Sequence, residues 1–254
     1  MALTETIVYR SEQAIAYITL NNPDRHNSLG EDELGAIQNH LATVESDPAI
    51  RVLVLSGSGE QTFCAGAALG QLSAGTINAN LFQQTTDQLA ALRVPTICAA
   101  NGSLYGGGVE LALSCDFRIG VTGSRLRVPA ANIGLCYPTA GIVRYVERLG
   151  LSLAKRILIA AEPFAAQQLL AIGFFDHLVT PAQLQPRSQQ MAAELADLAP
   201  LAVQSMKQIL QQAAAGVVDH EQALALSKRC SESKDLQEGF AAQREKRKPV
   251  FVGD

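Results

Sequence analysis

The stretch between residues 95 and 115 limits the fold of this chain more than any other. Pro95–Ala100 (PTICAA) reads as a short apolar strand and Asn101-Gly102 turns it. Gly106-Gly107-Gly108 then opens a nearly all-apolar helix, Val109–Cys115. An earlier segment has a similar layout: Arg51–Leu55 (RVLVL) reads as a buried strand, ends in Ser56-Gly57-Ser58-Gly59 and leads to Phe63-Cys64-Ala65-Gly66-Ala67. Strands of this length that hand over to helices indicate an α/β core.

The flanking sequence extends the pattern. Thr6–Tyr9 and Ala14–Leu20 are strand-like and the turn-rich Asn21-Asn22-Pro23-Asp24 ends the second. Ser28, with Glu31 three residues later, predicts a capping box. Leu34, Ile37, Leu41 and Val44 follow at helical spacing until Asp47-Pro48. A polar stretch from Leu72 passes into a helix that runs up to Arg93. Asp116–Val121 and Arg125–Val128 predict further strands. Beyond about residue 141 the pattern is helical, apart from a short strand near His177–Thr180. The tail from about Pro181 is long, amphipathic and rich in Ala and Gln.

Composition removes several functional classes. Of 254 residues 48% are hydrophobic, enough for a sizeable core, and 17% are charged. Twenty basic against 24 acidic residues give a net charge of −4, which offers no concentrated basic surface for nucleic acid. The most apolar stretches, around Arg51–Leu55 and Val109–Leu113, are far too short to span a bilayer. Residues 1–10 lack a basic start followed by an apolar run, so the expectation is a cytoplasmic protein. Five scattered cysteines form no C-x-x-C pair and no H-E-x-x-H occurs, so reduced thiols and no metal site are expected. Gly57-Ser58-Gly59 lacks the third glycine of a dinucleotide loop, and neither a P-loop nor a G-x-S-x-G elbow is present.

Two glycine-bearing segments remain, Phe63–Ala67 and Gly106–Glu110. Each follows a strand and a turn, so each can present bare backbone N–H groups. One N–H from each, aimed at one point, would polarise a thioester carbonyl and hold the enolate formed from it. The competing reading makes both segments tight turns whose glycines permit helix packing. Glu110 is the second oddity, because a carboxylate in the first turn of an apolar helix is costly unless paired or functional. A buried salt bridge and a catalytic acid/base are both open for it.

The combination F-C-A-G-A at 63–67 with N-G-x-x-x-G-G-G-x-E-L-A-L-x-C-D at 101–116 resembles the enoyl-CoA hydratase/isomerase (crotonase) family. Asn22–Leu29, Pro129 with Ile133-Gly134-Leu135, and the ending Phe240…Glu245–Phe251 extend the resemblance over nearly the whole chain. The resemblance implies an α/β fold built as a spiral of β-β-α units. It places the core and acyl-CoA site in residues 1–195 and a helical trimerisation region in residues 196–254. A homotrimer or dimer of trimers is implied, with acyl-CoA as the substrate, no nucleic-acid or membrane partner, and no cofactor beyond the coenzyme A of the substrate. The oxyanion N–H donors fall on Ala67 and Gly107. Arg25, Ala65, Ala67 and Lys246 fall where the family contacts coenzyme A, and Glu110 falls on the first of two catalytic glutamates. Leu69, Ala130 and Tyr137 are expected in the acyl pocket.

The departures from the family are as informative. The second hydratase glutamate normally follows the proline of the next loop, and here Pro129 is followed by Ala130. The acidic residue usual after the oxyanion alanine is also missing, because position 68 is Ala. Hydration needs a water activated and a proton delivered, work the two carboxylates share. The sequence therefore predicts Glu110 as a single acid/base, suited to double-bond isomerisation or weak hydration. Alternatives are an acyl-CoA-binding protein with little turnover, or another enolate reaction such as decarboxylation or thioester cleavage. Asn132, Cys136 and Tyr137 lie near the missing glutamate. Tyr137 could donate a proton, but an aromatic wall of the pocket is the simpler role. Asp116 is expected to be structural.

Overall fold

The computed structural model describes residues 5–68 and 79–254. The main sheet has six strands: β1 (Ile7–Glu12), β2 (Ile15–Leu20), β3 (Val52–Gly57), β5 (Thr96–Ala100), β7 (Phe117–Val121) and β10 (His177–Val179), adjacent in that order. Only the β1–β2 pair is antiparallel; Leu55 pairs with Cys98, and Cys98 with Arg118, along the parallel part. A smaller sheet carries β4 (Thr62–Cys64), β6 (Ser103–Tyr105), β8 (Arg125–Arg127) and the short β9 (Phe164–Ala165).

The chain advances as a spiral. Each turn lays one strand in the large sheet and the next in the small one, then adds a helix: β3 and β4 precede α2 (Ala79–Ala91), β5 and β6 precede α3 (Gly107–Leu113), and β7 and β8 precede α4 (Thr139–Leu158). Parallel strands covered on both faces must be apolar on both. Leu53, Leu55, Cys98 and Ala100 point into the larger core, with α1 (Glu31–Ser46) and α3. The alternate residues Val52, Val54, Ile97 and Ala99 meet Leu184, Met191 and Ala192 of α6 (Pro181–Ala196). On α1, Leu34, Ile37, Leu41 and Val44 are all buried, as their spacing predicts, and each contributes roughly 1.5–3 kcal/mol on leaving water.

The start of α1 differs from expectation. Ser28 does not cap it; the cap is Gly30, and the Glu33 carboxylate returns to the Gly30 N–H at 2.9 Å. The displacement has a physical cause. Leu29 is used as an extended residue, its N–H bonded to the Gly66 carbonyl at 2.8 Å while its own carbonyl accepts from Ala68. The helix can begin only beyond that pairing. The two-residue β9 was not anticipated, and α5 (Ala166–Ala171) follows it directly.

After α6 come α7 (Pro200–Ala214), α8 (His220–Ser231) and α9 (Lys234–Glu245). Asp116 is structural: it accepts from the Thr96 N–H and hydroxyl and pairs with Lys207 of α7 at 2.6 Å. Arg51 binds the carbonyls of Ala196 and Phe251, tying the C-terminal strap to the main sheet. No helix among the described residues is long and apolar enough to cross a membrane.

Candidate active site

Two asparagines, buried Asn27 and half-buried Asn101, shape the first glycine segment. Asn27 donates to the carbonyls of Ser58 and Thr62 at 3.0 and 2.9 Å, and Asn101 accepts from the Gly57 N–H while donating to the Gly59 carbonyl at 2.8 Å. Together they fix the loop that delivers Ala65, Gly66 and Ala67. Pairing of Leu29 with this segment uses the Gly66 carbonyl and the Ala68 N–H, which turns the Ala67 N–H the other way.

The second segment enters α3 through Gly106, at φ 50°, with Gly107 as the first helical residue. A Cβ on Gly108 would lie 2.2 Å from the Cys64 carbonyl oxygen, so the start of α3 rests directly on β4. The packing reading and the polarising reading of these glycines are therefore compatible. Close packing at Gly108 is what brings Gly107 beside Gly66. The amides of Ala67 and Gly107 have no acceptor among the described residues, and both residues line one cavity of about 750 Å³.

Ala65, Glu110, Ala130 and Tyr137 line the same cavity, with Phe82, Ile133, Leu135 and Cys136 completing an apolar wall. Ala130 begins the short 3₁₀ turn Ala130–Ile133. The sequence expectation thus gathers six residues around one space: Ala65, Ala67, Gly107, Glu110, Ala130 and Tyr137. Arg25 and Lys246 are exposed and do not line it, although His26, next to Arg25, does. Leu69 lies outside the described residues. Asn132 is exposed on the 3₁₀ turn, away from the lining.

Glu110 is 1% exposed, and it is paired. Arg144, on α4, places Nη1 2.8 Å from Glu110 Oε1, and the Thr86 hydroxyl lies 3.2 Å from the same oxygen. Arg144 Nη2 reaches Asp87 Oδ1 at 2.5 Å. Burial pushes the Glu110 carboxyl above its ordinary range, and Arg144, Tyr137 and Thr86 pull against it. Burial likewise raises the phenols of Tyr137 and Tyr145, which meet edge to face with ring centroids 5.7 Å apart. Sequence reasoning missed Arg144. The structure supplies the signal: Gly141, Arg144 and Tyr145 share the buried face of α4, and a cation on such a face requires an acidic partner.

Among the described residues, no group of three or more His, Cys, Asp or Glu side chains could hold a metal ion. Backbone amides that can polarise a carbonyl and a carboxylate that can carry a proton share this cavity with His26, Cys136 and Tyr137.

Comparison with known proteins gives the same family throughout. Residues 10–254 match the family described as enoyl-CoA hydratase/isomerase. The crotonyl-CoA hydratase of Syntrophomonas wolfei is 29% identical, the alignment covering 98% of each chain. The 2,3-dehydroadipyl-CoA hydratase of Escherichia coli is 31% identical over 99% of this chain and 100% of its own. The crystal structure of an enoyl-CoA hydratase/carnithine racemase from Magnetospirillum magneticum superposes with a TM-score of 0.92 at 28% identity, covering 99% of this chain and 97% of that one.

Proposed function

The chain belongs to the enoyl-CoA hydratase/isomerase family, and from that premise we propose that it is a one-carboxylate enzyme acting on an acyl-CoA thioester through an enolate. The thioester oxygen sits between the N–H groups of Ala67 and Gly107. The single observation that carries this reading is the juxtaposition of those two unpaired amides on the wall that also holds Glu110.

Glu110 is the acid/base. In double-bond isomerisation it removes a proton from C2 of a 3-enoyl thioester. The C–H electrons pass into a dienolate whose charge rests on the thioester oxygen. Glu110 then returns the proton at C4, leaving the double bond between C2 and C3. Atoms balance with one carboxylate, so the alanine at position 130 is no obstacle. Hydration requires the same residue both to activate water and to deliver the C2 proton. Loss of one of two acid/base groups costs about 10²–10⁴-fold, so hydration is the slower reaction here.

The acyl group is uncharged in this reading. Glu110 is the one carboxylate or cation-bearing side chain, histidine apart, among the described lining residues, and residues 65–86 contain no Asp, Glu, Lys or Arg. A second carboxylate on the acyl chain would enter an apolar space with Glu110 as its charged neighbour, an unfavourable arrangement. Arg25, beside the cavity-lining His26, and Lys246 are assigned to the coenzyme A phosphates. Residues 196–254 are assigned to assembly into a trimer or dimer of trimers, supported by exposed apolar side chains such as Leu210, Leu224 and Phe240.

One observation favours a second reading. Because Arg144 pairs with Glu110, the acid is accounted for without chemistry, as it would be in an acyl-CoA-binding protein with little turnover. Glu110→Gln separates the two. Purified protein is given a panel of 2-enoyl-, 3-enoyl- and saturated acyl-CoAs, with conversion followed by mass and absorbance and binding measured in parallel. A drop in turnover of about 10²-fold or more with binding retained supports the enzyme reading. Turnover unchanged within a few-fold in the variant overturns it.

A further inference from the structure

The two oxygens of Glu110 are not equivalent. Oε1 is tethered, with Arg144 Nη1 at 2.8 Å and the Thr86 hydroxyl at 3.2 Å. Oε2 is turned toward Gly141 and Tyr137: a Cβ built on Gly141 would stand 2.9 Å from Oε2 and 2.8 Å from Tyr137 Cε1. Tyr137, beside Oε2, lines the cavity together with Glu110. Arg144 in turn is shared. Its Nη1 donates to Glu110 Oε1 and to the Thr86 hydroxyl, while Nη2 donates to Asp87, whose side chain is half exposed on α2.

We propose that Arg144 is a positioning residue that fixes which oxygen of Glu110 faces the substrate, and that Asp87 sets how firmly Arg144 holds it. The inference rests on the reading of Glu110 as the acid/base. It also explains why an arginine buried to this degree has two acidic partners. When Glu110 takes a proton from the substrate its charge disappears, and a cation left alone in a low-dielectric site would be costly. The contact of Nη2 with Asp87 keeps Arg144 paired through that interval. A single buried Arg–Glu pair would instead resist protonation of the glutamate and slow the very step it serves.

The groups facing Glu110 are few. From α2 come Thr86 and Asp87, from α4 Arg144 and Tyr145, and from the loop before α4 Tyr137. The stretch 69–78, not described, contains no ionisable side chain. Signs follow directly. Asp87 opposes ionisation of Glu110 and Arg144 favours it. Removing Asp87 therefore lowers the pH at which Glu110 gains its proton, and removing Arg144 raises it.

The test uses full-length protein labelled with carbon-13 at glutamate carboxyls, with the Glu110 resonance assigned by its loss in Glu110→Gln. Asp87→Asn is expected to move the Glu110 titration down, Arg144→Gln to move it up by about one pH unit or more, and Arg144→Lys to restore part of that shift. The acid limb of kcat/KM moves in the same opposite directions. Titrations that stay where they are in Asp87→Asn, or that move the same way in Asp87→Asn and Arg144→Gln, overturn the inference. Asp87→Asn alone suffices if Arg144→Gln does not fold, since its downward shift supports the proposal and its absence refutes it. Because the titration is read from the carboxyl itself, failure of the Arg144 inference is distinguishable from failure of the acid/base reading, which shows as turnover left intact in Glu110→Gln.

Discussion

Gly66 and Gly107 are in backbone contact: a Cβ added to Gly66 would stand 2.5 Å from the Gly107 nitrogen and 3.0 Å from the Tyr105 carbonyl oxygen. The spacing of the Ala67 and Gly107 amides is therefore set by the missing side chain at position 66. Gly66 also holds φ at 84°, a conformation alanine adopts only under strain of roughly 1–3 kcal/mol. Gly66→Ala is expected to push the two amides apart. Where both donors serve the oxyanion, kcat falls by about 10²–10³-fold while acyl-CoA binding weakens far less. A folded Gly66→Ala protein with unchanged kcat would remove these amides from the reaction.

Ala130 lines the cavity at the start of a 3₁₀ turn and is buried. If the absent carboxylate is what limits hydration, Ala130→Glu should raise the rate of water addition to a 2-enoyl-CoA by about 10-fold or more, toward the factor one acid/base group supplies. The cost is a second acid near Glu110, so stability should drop, read as a lower urea midpoint. No gain in hydration would assign the deficit to loop geometry between Pro129 and Pro138.

Cysteine reactivity gives a probe that does not depend on turnover. Cys136 is exposed on the cavity wall, whereas Cys64, Cys98 and Cys115 are buried, and burial pushes the Cys64 thiol up to about 12. Thiolate is the reactive form, so an alkylating reagent at neutral pH should label Cys136 first, half-buried Cys230 more slowly and the other three only on unfolding. Saturating acyl-CoA should slow labelling of Cys136 and leave Cys230 unchanged. Equal labelling of Cys136 with and without ligand would place the acyl group elsewhere.

The elements that could be read from the sequence were those fixed by local periodicity. Leu34, Ile37, Leu41 and Val44 announce α1, and the apolar runs at 52–57 and 96–100 announce central strands, because burial on one face or on both leaves a pattern in neighbouring residues. The cap of α1 was misread because Leu29 pairs with a segment almost forty positions away, and nothing local marks that pairing. The glycines of the site were legible as bare backbone, but the contact of Gly66 with Gly107 depends on two strands of the small sheet lying side by side. Glu110 stood out because its neighbours are apolar. Its partner Arg144 did not, because a charged residue on an amphipathic helix looks solvated until Gly141 and Tyr145 beside it are found buried. Non-local pairing, whether between backbones or charges, is the part a single sequence withholds.

The uncharged-acyl proposal rests on the same lining. The cavity presents Phe82, Ile133, Leu135 and Tyr137 to a ligand, with Glu110 at its inner wall. Arg144 lies behind Glu110 and already has two acidic partners, so it offers no free positive charge to a third carboxylate. An acyl-CoA with an uncharged chain should therefore bind more tightly than its counterpart ending in a carboxylate. Leaving a carboxylate in such a site without a partner costs several kcal/mol, and a difference of about 1.4 kcal/mol is already tenfold in Kd. Calorimetric titration with a matched pair, a saturated six-carbon acyl-CoA and the corresponding dicarboxylic acyl-CoA, measures this without requiring turnover. A preference of about 10-fold or more for the uncharged member is the expected outcome. Equal affinity, or preference for the dicarboxylic thioester, would mean that a cation reaches the acyl chain in the assembled protein, and the uncharged-acyl assignment would fall. Repeating the pair with Glu110→Gln identifies the source of the discrimination: where the penalty is repulsion from Glu110 it shrinks in the variant, and where it is desolvation by the apolar wall it persists.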